Sequence, residues 1–220
     1  LKKEDLVDTA YSYLLEFFED YNYKKPKVSK ERLLYFNPSN VCGHQQRTFL
    51  MWWALKVSEE EVKKGKDPLI LDIGCGQAIT PSWGIGIDKV HGIHPAYGDL
   101  YIPTIQASGS ILPIRNKCIS AIVSNHAIEH MDAKKAFYEW IRVLKPGGII
   151  ALVTPDITYG PHQDPDGHVR EYTPGEFFDE ILAPLVEDKK IRILELDSFD
   201  NYFSWNLVVE KRNESSNNAL

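Results

Sequence analysis

Apolar residues recur at helical spacing at Leu6, Ala10, Tyr13, Leu14, Phe17 and Phe18, which predicts an amphipathic helix over residues 3–20. A basic connector at 24–32 and a turn at 37–40 follow. The spacing then predicts a second helix over residues 44–64, with Phe49, Leu50, Trp53, Leu55 and Val57 facing a core. Gly65 stops it and Pro68 leads out of it. From there the chain changes habit. Short apolar runs stand at 69–73, 84–88, 119–124 and 149–154, the length of buried strands. A helix is expected over 133–144, ended by Lys145-Pro-Gly-Gly148. Residues 154–172 are broken by five prolines and glycines and read as a loop. Thr173 is a natural N-cap, with Pro174 at the first helical position and Glu176 three residues on, so another helix runs to about 182. Two strands, at 191–196 and 205–210, end the pattern.

The run at 69–73 leads at once into Gly74-Cys75-Gly76, where the backbone turns sharply and lets a ligand approach. Asp72 sits two residues before the first glycine. Twelve residues after Gly76, the next run ends in Asp88. Strand, glycine turn, strand and acid form the layout of a nucleoside-binding βαβ unit. A dinucleotide site calls for a third glycine, where this chain has Ile79, and Asp72 would face a pyrophosphate with negative charge. Both details argue against NAD and for a cofactor that carries positive charge.

LDIGCG at 71–76 resembles motif I of the class I S-adenosylmethionine-dependent methyltransferases, and GIGID at 84–88 resembles their second strand. The resemblance spans residues 69–212. It implies a doubly wound α/β fold: a mostly parallel, seven-stranded, Rossmann-like sheet with the last strand antiparallel, here with an N-terminal helical cap. The expected division is a cap or substrate region at 1–66, a cofactor-binding domain at 67–212 and a disordered tail at 213–220. S-adenosylmethionine would be held by Asp72, Gly74, Cys75 and Gly76, with Asp88 on the ribose hydroxyls. Leu112-Pro-Ile114 matches a third motif, in which Ser108 stands at the usual acid and Gly109, Ser110 and Ile111 would meet the adenine. Arg47, in a helix that precedes motif I, is a candidate for the methionine carboxylate, because a guanidinium matches it bidentately. Asn125 and His126, where the fourth strand opens, would face the transferred methyl. One departure from the family pattern is evident: only seven residues, 77–83, separate Gly76 from the second strand, and Pro81 interrupts them, so the usual helix is not expected there.

The formal charge of −6 gives no general attraction to nucleic acid or an anionic membrane, and no apolar run approaches a membrane span. No leader-like pattern stands at the start, and the three cysteines, Cys42, Cys75 and Cys118, have no metal-ligand spacing, so a reduced cytoplasmic protein is expected. His126-Ala-Ile-Glu-His130 matches the H-x-x-E-H pattern of metalloproteases, but it falls at a strand exit and not on a helix, so no metal site is assigned. His91 and His94 are read as solvent-facing loop histidines. The expected activity is methyl transfer from S-adenosylmethionine, giving S-adenosylhomocysteine, to a small-molecule acceptor at oxygen. A hydroxyl acceptor needs a base, and His126, then His130, then His162 or His168 from the loop after the fifth strand, are the candidates. An RNA or protein acceptor, and a catalytically silent cofactor-binding module, are the alternatives. Nothing in the sequence speaks to the oligomeric state.

Overall fold

The computed structural model describes residues 42–159, 167–199 and 204–213. The expected helix at 3–20, the basic connector, the turn at 37–40, His162 and residues 214–220 lie outside them. The first described helix, α1 (Cys42–Lys63), is followed by β1 (Ile70–Ile73), β2 (Ile85–Asp88), a small antiparallel pair β3 (Gly92–Ile93) and β4 (Leu100–Tyr101), and β5 (Ile105–Gln106). Then come β6 (Ile119–Asn125), a 3₁₀ turn (Ile128–His130), α2 (Ala133–Val143) and β7 (Leu144–Pro155). The chain closes with α3 (Pro174–Phe177), which continues through one π turn into α4 (Ala183–Glu187), and then β8 (Ile191–Phe199) and β9 (Ser204–Lys211).

Seven strands form one sheet in the order β5-β2-β1-β6-β7-β9-β8. The pairs from β5 to β7 are parallel, and β9 runs antiparallel to both β7 and β8. This is the expected doubly wound sheet. Because side chains alternate along a strand, each central strand divides its residues between two cores. Ile70, Ala121, Val123, Ile149, Ala151, Val153 and Val208 pack against Phe49, Leu50 and Ala54 of α1. Leu71, Ile73, Ile122, Ile150, Leu152, Leu207 and Val209 face the other layer, where Ala136, Phe137 and Trp140 of α2 meet Phe177 and Trp205. The Trp140 indole donates to the Gly109 carbonyl at 2.8 Å and the Trp205 indole to the Tyr172 carbonyl at 2.9 Å, so both buried N–H groups are satisfied. Truncating either ring to alanine removes about 3–5 kcal/mol of burial and packing.

The structure adds three short strands that the sequence reading did not place, β3, β4 and β5, and differs from that reading at the fifth expected strand and at α1. The fifth strand begins at Leu144 and not at Ile149, because Leu144 pairs with Ile119 and the register shifts before Ala121 meets Ile149. Pro146 and the two glycines occupy that irregularity, where a missing N–H breaks no ladder bond. Gly148 is required there, since a Cβ would stand 2.9 Å from both the Lys145 and Ser120 carbonyl oxygens. Trp53 and Val57, placed in the core by spacing, are only partly buried, while Met51 and Ala54 are buried. Helix α3 carries the expected capping box: Thr173 Oγ1 accepts from the Glu176 amide at 3.1 Å and Glu176 Oε2 accepts from the Thr173 amide at 2.8 Å. Among the described residues no helix is long and apolar enough to cross a membrane.

Candidate active site

The chain leaves β1 outward to β2 and β5, then returns to the other side of β1 as β6. The carboxyl ends of these strands therefore part at a switch point, where open α/β sheets bind ligands. A cavity of about 590 Å³ lies there, of the size that takes a small-molecule cofactor. It is lined at β1 by Ile73, Gly74, Cys75 and Gly76, at β2 by Asp88, and beyond β6 by Asn125 and His126.

Gly74 adopts φ +75°, and a Cβ on it would lie 2.2 Å from the Ala127 Cβ, so neither the turn nor the approach of the β6 exit tolerates a side chain. The amides of Gly74 and Cys75 both donate to the Ile87 carbonyl, at 2.8 and 3.2 Å, which folds the turn back over β2. Asp88 Oδ2 accepts from the Gly76 amide at 3.0 Å and Oδ1 from the Val90 amide at 2.9 Å. Each of these oxygens has a second lone pair for a ribose hydroxyl. Cys75 is buried, and desolvation first, then the carboxylates of Asp72 and Asp88, push its thiol up to about 12, so it is a neutral wall group and no nucleophile.

Asp72 does not line the cavity. By strand alternation it shares the α1 face with Ile70, and its Oδ2 accepts from the Thr80 amide at 2.6 Å. Burial, with only 4% of the residue exposed, pushes its carboxyl up to about 7 against the opposing pull of that amide and of Arg47. Asp72 thus holds the short connector between Gly76 and β2, which forms no helix, as expected. Arg47, on α1, does reach the cavity.

Ser108 and Gly109 line the cavity, whereas Ser110 and Ile111 line a separate outer groove beside Asp132, Tyr138 and Arg142. The cause is a tight turn: Ser108 Oγ and its carbonyl accept from the amides of Ser110 and Ile111 and carry the next residues outward, leaving Ile111 62% exposed. The β3–β4 pair adds residues that the sequence did not single out. His94, read as solvent-facing, is 2% exposed; it stacks on Tyr97 at 4.5 Å and meets Tyr101 at a tilt at 4.8 Å, and all three rings line the cavity. Its Nδ1 accepts from the Ala96 amide at 3.2 Å, which holds the loop against the sheet.

Three of the four candidate histidines, His126, His130 and His168, line the same cavity. His126 has φ +49°, a conformation in which a non-glycine residue is strained, and its amide donates to the Val153 carbonyl at 2.9 Å. Its Nε2 lies 3.2 Å from Ser204 Oγ and its Nδ1 3.5 Å from Oε1 of the buried Glu129. Gln46 Nε2 donates to the same Ser204 hydroxyl at 3.0 Å. His168 Nδ1 lies 2.5 Å from Glu171 Oε1, and the His168 and His130 rings meet edge to face at 4.7 Å. Glu171 stands three residues after His168, but in a stretch read as loop that spacing carried no signal.

The cavity suits the cofactor implied by motif I. Asn125 Oδ1 is buried at its wall with no hydrogen-bond partner among the described residues, an acceptor suited to the cofactor's ammonium. Asp88 and Arg47 bring a carboxylate and a guanidinium to the same cavity.

Residues 71–152 match the family model described as methyltransferase domain. Among curated proteins, the chain is 26% identical over 156 residues to a tRNA (carboxymethyluridine(34)-5-O)-methyltransferase of Arabidopsis thaliana; the match takes in 66% of this chain and 37% of that one. The chain thus spans little more than a third of that relative. Among solved structures, the plantazolicin methyltransferase BpumL, in complex with a monoazolic desmethylPZN analog and S-adenosylhomocysteine, superposes with a TM-score of 0.55 at 15% identity, over 96% of this chain and 98% of that one. Geranyl diphosphate C-methyltransferase from Streptomyces coelicolor A3(2) gives a TM-score of 0.48 at 12% identity, over 82% and 87% of the two chains. Motif and family model agree on residues 71–152 as a match to a methyltransferase domain, carried on the strand order expected for it.

Proposed function

We propose that this chain transfers the methyl group of S-adenosylmethionine to an oxygen of a small-molecule acceptor. The observation that carries the reading is that the glycine turn, Asp88 and three histidines line one cavity. When bound, the cofactor supplies a methyl carbon already activated by positive sulfur. Asp88 would hold its ribose, Asn125 its ammonium, Arg47 its carboxylate, and Ser108 with Gly109 its adenine edge. Gly74 and Gly76 let the backbone come close to it.

The remaining work falls on alignment and on the acceptor's proton. In-line displacement is accelerated chiefly by holding the two reactants at attack geometry. A hydroxyl must also give up its proton, and His126, which lines the cavity, is the candidate base. Its ring is fixed between Ser204 and Glu129. A buried carboxylate beside an imidazole stabilises the protonated ring, as in other histidine bases.

An RNA acceptor is the second reading. It is favoured by the name of the Arabidopsis relative, itself an oxygen methylator of tRNA, and disfavoured by the formal charge of −6. A screen with methyl-labelled S-adenosylmethionine, offering extract metabolites and RNA as separate fractions, tests both. Label in an ether or ester of a small molecule is expected. Label in the RNA fraction alone selects the second reading, and cofactor binding without transfer to either fraction leaves a silent module.

A further inference from the structure

We propose that Glu129, His130 and His168 form a binding site for a single divalent transition cation of the zinc, manganese or iron(II) type in the wall of the cavity. One ligating atom from each residue lies within 4.8 Å of the other two, and all three residues line the cavity. They come from different elements. Glu129 and His130 belong to the 3₁₀ turn after β6, whereas His168 follows the loop after β7. The amides of Val169 and Arg170 donate to the Glu129 carbonyl at 2.8 and 3.2 Å and tie the two segments together.

What separates this group from a chance meeting of polar side chains is its outer shell. His168 Nδ1 is held by Glu171 Oε1 at 2.5 Å, His130 Nδ1 by the Gly167 carbonyl at 3.1 Å, and Glu129 Oε2 accepts from Thr154 Oγ1 at 3.1 Å. An acceptor on Nδ1 fixes the tautomer of each ring, so that Nε2 carries the lone pair a metal needs. Metal-binding histidines are oriented in this way by carboxylates and carbonyls. Glu129 is 1% exposed, and a buried carboxylate is stabilised by a cation.

Two imidazoles and one carboxylate suit borderline ions and not magnesium or calcium, which prefer oxygen. Ligand atoms of such ions stand roughly 3 to 3.5 Å apart for bonds of about 2.0–2.2 Å, so rotation of the side chains must draw the three atoms together on binding. An acceptor hydroxyl that coordinated such an ion would lose its proton more readily. That use of the ion rests on the methyl-transfer reading, whereas the binding of the ion does not.

The test is metal binding by the purified chain, with S-adenosylhomocysteine affinity measured alongside. Zinc and magnesium are titrated by calorimetry, and cobalt(II) is titrated by its visible absorption. One equivalent of cobalt with imidazole-type bands is expected, with zinc at least ~10²-fold tighter than magnesium. His130→Gln and His168→Gln should each weaken zinc by more than ~10-fold, and Glu171→Gln, which alters only a positioning residue, by a smaller factor. Affinity for S-adenosylhomocysteine should stay within a few-fold in Glu171→Gln, which serves as the folding control. Zinc no tighter than magnesium, or zinc affinity unmoved in all three variants, overturns the site. Because neither readout requires an acceptor, failure here leaves the methyl-transfer reading standing, and failure of that reading leaves the site standing.

Discussion

Asp88 Oδ2 accepts a hydrogen bond from the Gly76 amide at 3.0 Å, so the tip of the second strand and the turn after the first are one rigid unit. The carboxylate fixes the turn, and on the reading proposed above its remaining lone pairs would meet the ribose. Asp88→Ala should weaken S-adenosylhomocysteine binding by roughly 2–3 kcal/mol, since both hydroxyls lose a charged acceptor. Asp88→Asn, which keeps one acceptor for the amide, should lose less. Calorimetry decides, and tighter binding of NAD than of S-adenosylmethionine by the unmodified chain would overturn the cofactor assignment.

Gly74→Ala is expected to destabilise the fold itself by about 2–4 kcal/mol, from a Cβ forced into left-handed backbone and against Ala127. Gly76→Ala should cost less in stability. The nearest atom to its added Cβ is on Tyr101 at 3.7 Å, an ordinary contact. Urea midpoints of the two variants check the order; equal midpoints would mean that the turn relaxes away from Ala127.

Asp72 makes the stability of the cofactor-free chain depend on pH. Its folded carboxyl titrates at about 7, because burial outweighs the Thr80 amide and Arg47, while an unfolded aspartate titrates at about 3.9. Between those values the folded state holds a proton that the unfolded state has released. Stability from this group is thus present below about pH 4 and is lost as pH rises through 7. Asp72→Asn lacks that titration. The stability difference between the unmodified chain and the variant should move by on the order of 2–4 kcal/mol in favour of the variant between pH 4 and 8. Parallel curves in urea titrations across that range would show that Asp72 stays ionised throughout.

Much of this was legible in the sequence, for physical reasons that differ by element. The strands around the turn declared themselves because a buried parallel strand must be apolar on both faces, and Gly74 because no other residue fits it. Thr173, Pro174 and Glu176 announced their helix through capping chemistry that is local in sequence. Asp72 was misplaced because motif spacing gives the strand but not the face, and alternation turns its side chain toward α1. The His94–Tyr97–Tyr101 stack and the approach of His168 to His130 had no local signal at all. The first forms within the β3–β4 hairpin, and the second needs the chain to return across 37 residues, as the His130–Gly167 contact does. Ser108 fell on the cavity while Ser110 and Ile111 did not, because a tight turn closed by two hydrogen bonds to Ser108 separates neighbours that a motif counts as one block.

The last prediction concerns the base. His126 is held by Ser204 on one ring nitrogen and faces Glu129 with the other, in a strained backbone conformation that the β6 exit imposes. To receive the acceptor's proton at Nε2, the ring exchanges its Ser204 contact for the acceptor while Nδ1 keeps facing Glu129. Once an acceptor is known, His126→Gln should lower turnover by ~10²-fold or more with S-adenosylhomocysteine affinity unchanged, the signature of a group used only in the transition state. Ser204→Ala should lower it by less, because Ser204 positions the ring and does not meet the acceptor. His130→Gln and His168→Gln would also slow turnover if they hold a cation, but added zinc should then restore part of the loss in these variants and none in His126→Gln. A His126→Gln enzyme that keeps turnover within a few-fold, with the other histidine variants equally active, would mean that methyl transfer here proceeds by alignment alone.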